Sequence, residues 1–180
     1  SMFACDEAGI SPDILCVGKG LTGGHISLAA TLATSNIYDA FLSDDWNKAL
    51  MHGPTFMANP LACAAANASL QLFESEPRIA QVEAIEQQLQ QMLSPCRAVS
   101  GVKEVRVKGA IGVVQVDANQ TELFAMRQAL VERGIWLRPF GNMVYIMPPL
   151  TISQTQLAQI CEAVVAVVMD WSLKREKMKA

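Results

Sequence analysis

Ile14-Leu-Cys-Val17 is a run of four apolar residues without polar alternation, entered through Ser11-Pro-Asp13 and left through Gly18-Lys-Gly-Leu-Thr-Gly-Gly24. A strand with one wet face alternates apolar and polar residues, whereas a strand hidden on both faces reads as a continuous apolar run. The run therefore predicts a strand of a covered, parallel sheet and puts the chain in the α/β class. A dozen residues precede it, with no earlier element to cover it. We therefore expect a piece of a larger protein, or a chain that buries much of its surface against partners.

Ile26 to Thr34 is rich in β-branched and small residues and predicts a second strand, followed by a short helix capped by Ser35 or Asn36 and running through Leu42. Asp44 to Ala58 has no clear period and holds Trp46, His52, Gly53, Pro54 and Phe56, which predicts a long ordered loop of the kind that carries function. Asn59-Pro60 predicts a helix start, with Asn as the cap and Pro in the first turn. The Ala-rich segment after it, Leu61 to Glu74, is expected to be buried on most sides. Arg78 to Leu93 predicts a more polar helix with Ile79, Val82, Ile85, Leu89, Met92 and Leu93 on one face, ended by Pro95.

The pattern then changes. Val102 to Lys108 alternates, Ile111 to Val116 follows after Gly109, Thr121 to Arg133 is amphipathic up to Gly134, and two short strands are predicted at Ile135 to Leu137 and Met143 to Met147. Thr151-Ile-Ser153 caps a last helix from Gln154 to about Lys174. The shift near residues 95–100 predicts two parts, 1–98 as the remainder of an α/β layer and 99–180 as a small α+β unit.

Composition removes several function classes. Net charge is −3 and the KREKMKA end is a solvated helix terminus, so no nucleic-acid partner is expected. The apolar stretch Ile160 to Met169 is far shorter than the ~20 residues a bilayer span needs, so no membrane partner is expected either. SMFACDEAGISPDIL lacks the basic start and apolar core of an export signal, which suggests a cytoplasmic address. Five cysteines without a CxxC pair and only two histidines argue against a disulfide framework and against a metal site.

Four places could carry chemistry. Lys19 follows the first strand between glycines, at the carboxyl end where α/β sheets place their sites, and a lysine held there becomes a Schiff-base nucleophile once it loses its proton. An ordinary loop lysine is the competing reading; a GxxxxGK[ST] phosphate loop is excluded, because Gly20 follows Lys19 and Asp13 stands where the first glycine would be. Thr55, after the rigid Gly53-Pro54, offers a hydroxyl and an N–H to a phosphate oxygen, or simply closes a turn. Arg138, between Leu137 and Pro139, is either a fork for a substrate carboxylate or an edge-strand surface residue. Tyr145 either lines the same pocket or packs.

PDILCVGKGLTGG, HGPTFMANPLACAAANASL and WLRPFGNMVYIMPPL together resemble the fold-type-I, class III aminotransferases that use pyridoxal 5'-phosphate, along the whole chain. The resemblance implies a partial fold of that type: a remnant of the large-domain parallel sheet in 1–98 and the C-terminal small α+β domain in 99–180. It implies that Lys19 is catalytic and carries the cofactor as a Schiff base, that Pro54 and Thr55 contact the cofactor phosphate from the neighbouring subunit of a homodimer, and that Gly53, Arg138 and Tyr145 meet the substrate. The combination of GPT, RPFG and YxMPP is similar to the branch that moves the amino group of S-adenosylmethionine onto 8-amino-7-oxononanoate in biotin biosynthesis, with Arg138 on the oxononanoate carboxylate. Another class III ω-aminotransferase, or a non-catalytic dimerisation fragment, is the alternative. The family's pyridinium-pairing aspartate, in a DExxTGFGR-like segment, is absent from the 180 residues. The resemblance therefore implies that the isolated chain is inactive or nearly so.

Overall fold

The computed structural model describes residues 2–179. It divides into two compact units, residues 1–77 and 78–180.

In the first unit, α1 (Ala4–Ala8) precedes β1 (Ile14–Val17), a 3-10 turn follows at Lys19–Thr22, and β2 (Ala30–Ala33) leads to α2 (Ser35–Asp39). β1 and β2 pair antiparallel, Ile14 opposite Ala33 and Val17 opposite Ala30, with Asp13 O accepting from Thr34 N at 3.0 Å. The only ladder that β1 makes among the described residues is therefore this antiparallel one, and no strand among them pairs parallel with it. The connection between the two strands holds a 3-10 turn and no crossover helix, so the chain returns directly, as an antiparallel pair requires. Nor is β1 covered on both faces: Ile14 and Cys16 are exposed, Leu15 and Val17 half-buried, and all four side chains of β2 are exposed.

Residues 40–59 form the expected long loop, with one 3-10 turn at Trp46–Lys48. Asn59 then caps α3 (Pro60–Ser75), its Oδ1 accepting from Leu61 N at 3.0 Å and Ala62 N at 3.3 Å. Among the described residues of α3 only Ala62 and Ala66 are buried, while Leu61, Leu70, Leu72 and Phe73 are exposed. The expectation of burial on most sides therefore fails within this unit. The small pair Ala62 and Ala66 lies one helical turn apart, which fits the close packing of α3 on the Lys19–Thr22 turn.

The second unit holds the hydrophobic core, which runs from Ile85 to Trp171. Its sheet is antiparallel, in the order β3 (Val102–Lys108), β4 (Ile111–Val116), β5 (Met143–Ile146). Alternation puts Val114 and Val116, then Val144 and Ile146, on the inner face. α4 (Arg78–Leu93) packs on β3, β4 and α6 (Gln154–Lys179), and α5 (Gln120–Glu132) packs on α6. α5 starts with a capping box between Asn119 and Glu122 and buries Leu123, Met126 and Leu130. α6 buries Leu157, Cys161, Val164, Val168 and Trp171, a stripe at alternating spacings of four and three. By length and composition alone α6 would also cross a bilayer, but its apolar stripe belongs to this core.

Two expectations need correction here. Residues 78–98 were expected with the first part, yet Ile85, Leu89, Leu93 and Cys96 sit in the core of the second, so the compact units divide after Pro77 and not at 98/99. Ile135 to Leu137 is not a strand: Gly134 ends the α5 turn, Pro139 lacks a donor, and only Phe140 bridges to Met143.

Candidate functional site

Lys19 is the first residue of the 3-10 turn and has φ 47°, in the left-handed region. A non-glycine residue there costs roughly 1–2 kcal/mol and persists only where its surroundings over-determine it. The surroundings do so here. Gly18, extended, gives its carbonyl to Leu21 N at 3.1 Å, and Gly20 O accepts from Gly23 N at 3.0 Å. Thr22, almost fully buried, donates its hydroxyl to Ile26 O. From α3, Ser69 Oγ donates to Gly20 O at 3.4 Å. The strand end, the turn and the helix therefore hold one backbone, while the Lys19 side chain is exposed.

A cleft of about 1290 Å³ opens beside this turn. Gly18, Lys19 and His25 line it from the turn side, and His52, Thr55 and Phe56 from the long loop. Lys19 and Thr55, singled out separately in the sequence, thus meet in one cavity of the same unit. Gly53 and Pro54 lie in the adjoining turn, closed by Met57 N donating to Pro54 O at 3.0 Å, but they do not line the cleft. The turn is strained as well, with Phe56 at φ 64° and Ala58 at φ 48°. Phe56 is 94% exposed. Strain and exposure together mark a loop shaped for something other than its own unit's stability.

Arg138 and Tyr145 belong to the second unit. Arg138 is exposed and makes no ion pair among the described residues, and the strand expected just before it, at Ile135 to Leu137, is not formed. Its guanidinium needs no internal partner, because water reaches it. Tyr145 is half-buried on β5, opposite Val113.

Two features of the site escaped the sequence reading. One is His25, whose Nδ1 lies 3.3 Å from Thr22 O; a histidine six residues after Lys19 was the available signal, but only the turn geometry brings its ring back. The other is the pair of left-handed residues Phe56 and Ala58, which no residue type announces.

Chemically, the cleft offers an amine on a fixed backbone and a hydroxyl across from it. No Asp or Glu lines it among the described residues. It can hold an aldehyde and an anionic oxygen, and it has no partner for a protonated ring nitrogen.

A family model described as aminotransferase class-III matches residues 1–168. The chain belongs to the class-III aminotransferase family. Over 167 residues the chain is 47% identical to the adenosylmethionine-8-amino-7-oxononanoate aminotransferase of Corynebacterium glutamicum, covering 93% of itself and 39% of that enzyme. The crystal structure of the enzyme of that name from Methanocaldococcus jannaschii superposes with a TM-score of 0.84 at 33% identity, over 94% of this chain and 42% of that one. An amine transaminase from an uncultivated Pseudomonas species, solved in its PLP-bound form, matches at a TM-score of 0.84 and 30% identity, over 94% and 41%. The chain thus spans about two fifths of the length of the relatives it matches.

Proposed function

We propose that the chain is the part of a pyridoxal 5'-phosphate-dependent aminotransferase that carries the cofactor lysine, and that the whole enzyme transfers the amino group of S-adenosylmethionine to 8-amino-7-oxononanoate, giving 7,8-diaminononanoate for biotin biosynthesis. The observation that carries this reading is Lys19: a lysine in a strained left-handed backbone at a strand end, at the edge of a large cleft. Relatives of that name at 47% identity support the substrate pair.

When bound, pyridoxal phosphate supplies the electron sink of transamination. Lys19 would be the residue that holds the group through its amine, and the freed amine would serve as the base that moves a proton at the substrate carbon. Thr55 and Pro54 take the phosphate and Gly53 touches the substrate, with this loop serving the neighbouring subunit of a homodimer. Arg138 takes the oxononanoate carboxylate through its bidentate fork, and Tyr145 lines the substrate pocket. The first unit would belong to the cofactor-binding domain of a cytoplasmic enzyme. With no acid lining the cleft among the described residues, the isolated chain has low turnover.

Adding pyridoxal phosphate to the chain, reducing with borohydride and mapping the pyridoxyl label by mass spectrometry tests the cofactor assignment. Label concentrated on Lys19 and lost in Lys19→Ala is the expected result; label spread evenly over the lysines overturns it and leaves a non-catalytic dimerisation fragment. A coupled assay of the whole enzyme with S-adenosylmethionine against simple ω-amines tests the donor.

A further inference from the structure

We infer that His25 is a positioning residue for Lys19. The inference rests on the aminotransferase reading for its consequence and on hydrogen-bond geometry for its mechanism.

The His25 ring lies back on the turn that Lys19 begins. Nδ1 is 3.3 Å from Thr22 O, and a Cβ placed on Gly23 would stand 3.4 Å from that same nitrogen. The acceptor is a carbonyl, so Nδ1 carries the proton and donates. Thr22 O also accepts from His25 N at 3.2 Å, and Thr22 Oγ1 donates to Ile26 O. Thr22 is therefore gripped on both sides by residues 25 and 26, at the far end of a four-residue turn whose near end is the left-handed Lys19. Released, the turn would relax towards ordinary backbone angles and the Lys19 Cα–Cβ direction would change with it. Ser69 holds the middle of the turn from α3, at 3.4 Å. His25 thus closes a brace that the glycines around it cannot supply, since they have no side chain.

Two variants separate the donor from the bulk of the ring. His25→Asn keeps an N–H donor near the position of Nδ1, and His25→Leu keeps volume without a donor. In the cofactor-free chain, amide hydrogen exchange at Leu21 and Gly23, both bonded within the turn, reads the brace directly. With pyridoxal phosphate added, the Lys19 amine condenses with the aldehyde and releases water; borohydride then delivers hydride to the C=N bond, leaving a stable secondary amine for quantification. We expect His25→Leu to exchange about three- to tenfold faster at Leu21 and Gly23, the order for one lost hydrogen bond, and to lower the affinity for label at Lys19 by a similar factor. The amide of Val114, in the core of the other unit, should not change, and His25→Asn should restore both readouts. Wild-type rates in His25→Leu, or a failure of His25→Asn to restore them, overturns the inference. If the wild-type chain labels no preferred lysine, the cofactor reading fails while the exchange data still decide the brace.

Discussion

Gly101 gives the sharpest numerical test of the second unit's packing. Its φ is +86°, and a Cβ built there would stand 2.6 Å from Trp171 Cη2, 3.2 Å from Cζ3 and 3.0 Å from Arg175 Nη1. The indole has little room to yield. It is 7% exposed, its Nε1–H donates to Glu122 Oε1 at 3.1 Å, and Arg175 lies 5.4 Å over its ring while donating to Asp117 O at 2.6 Å. Gly101→Ala therefore combines a left-handed backbone penalty of about 1–2 kcal/mol with an overpacking penalty of about 1–3 kcal/mol. Gly134→Ala is the control: φ is +76° and nothing lies within 4 Å of its Cβ, so only the backbone penalty applies. In a unit of roughly one hundred residues each kcal/mol moves Tm by about 4–8 °C. Calorimetry should place Gly101→Ala more than about 10 °C below wild type and Gly134→Ala about half as far or less. In a Trp171→Leu background, which removes the ring and leaves only the flexible end of Arg175 near the added Cβ, the two glycine variants should cost nearly the same. Equal shifts in the wild-type background, or an excess cost that survives Trp171→Leu, would refute the steric argument.

Thr55→Ala should weaken pyridoxal phosphate affinity by about 1–3 kcal/mol, the order for a hydrogen bond to a charged group; an unchanged Kd in a cofactor titration would make the GPT turn merely structural. Arg138→Lys in the whole enzyme should raise KM for the carboxylate-bearing substrate with no change in Tm, because Arg138 is exposed and unpaired among the described residues. Burial pushes the Cys96 thiol up to about 11, and burial with the neighbouring Cys96 and Glu162 does the same to Cys161. Iodoacetamide should therefore modify Cys5, Cys16 and Cys63 in the native chain and these two only on unfolding. The same shift sets a pH window: folding favours the neutral thiols, so their contribution is complete below pH 9.0 and is lost as pH rises towards about 11, which denaturant midpoints across that range will register.

The second unit was the more legible half because its signals are local. Apolar period and the turns at Gly109 and Gly134 act within a few residues, and they placed α4, α5, β3 and β4 almost to the residue. Ile135 to Leu137 misled because its apolar residues resemble a strand, while pairing depends on what lies across from them. In the first unit, Ile14-Leu-Cys-Val17 is legible as a strand, but its antiparallel pairing with β2 and its exposed side chains within this chain are not, since an apolar run reports a tendency to be buried and not the partner that buries it. Lys19 and Thr55 could be picked out by residue type and neighbours. Their meeting in one cleft, and the ring of His25 turned back on Thr22, depend on backbone angles that the residue names do not encode.

The left-handed backbone at Lys19 also bears on how such a gene could lose its function. Lysine and asparagine codons differ only in their third base, and asparagine tolerates φ near +47° better than almost any other side chain. A single silent-looking base change would thus remove the amine while leaving the turn relaxed and the fold intact. Replacement by isoleucine or threonine, also one base away, would put a β-branched residue into a conformation it resists. If Lys19 carries the cofactor as proposed, asparagine is the one-base replacement best suited to its backbone, and lineages that abandon the chemistry yet keep the protein should favour asparagine in the lysine's place.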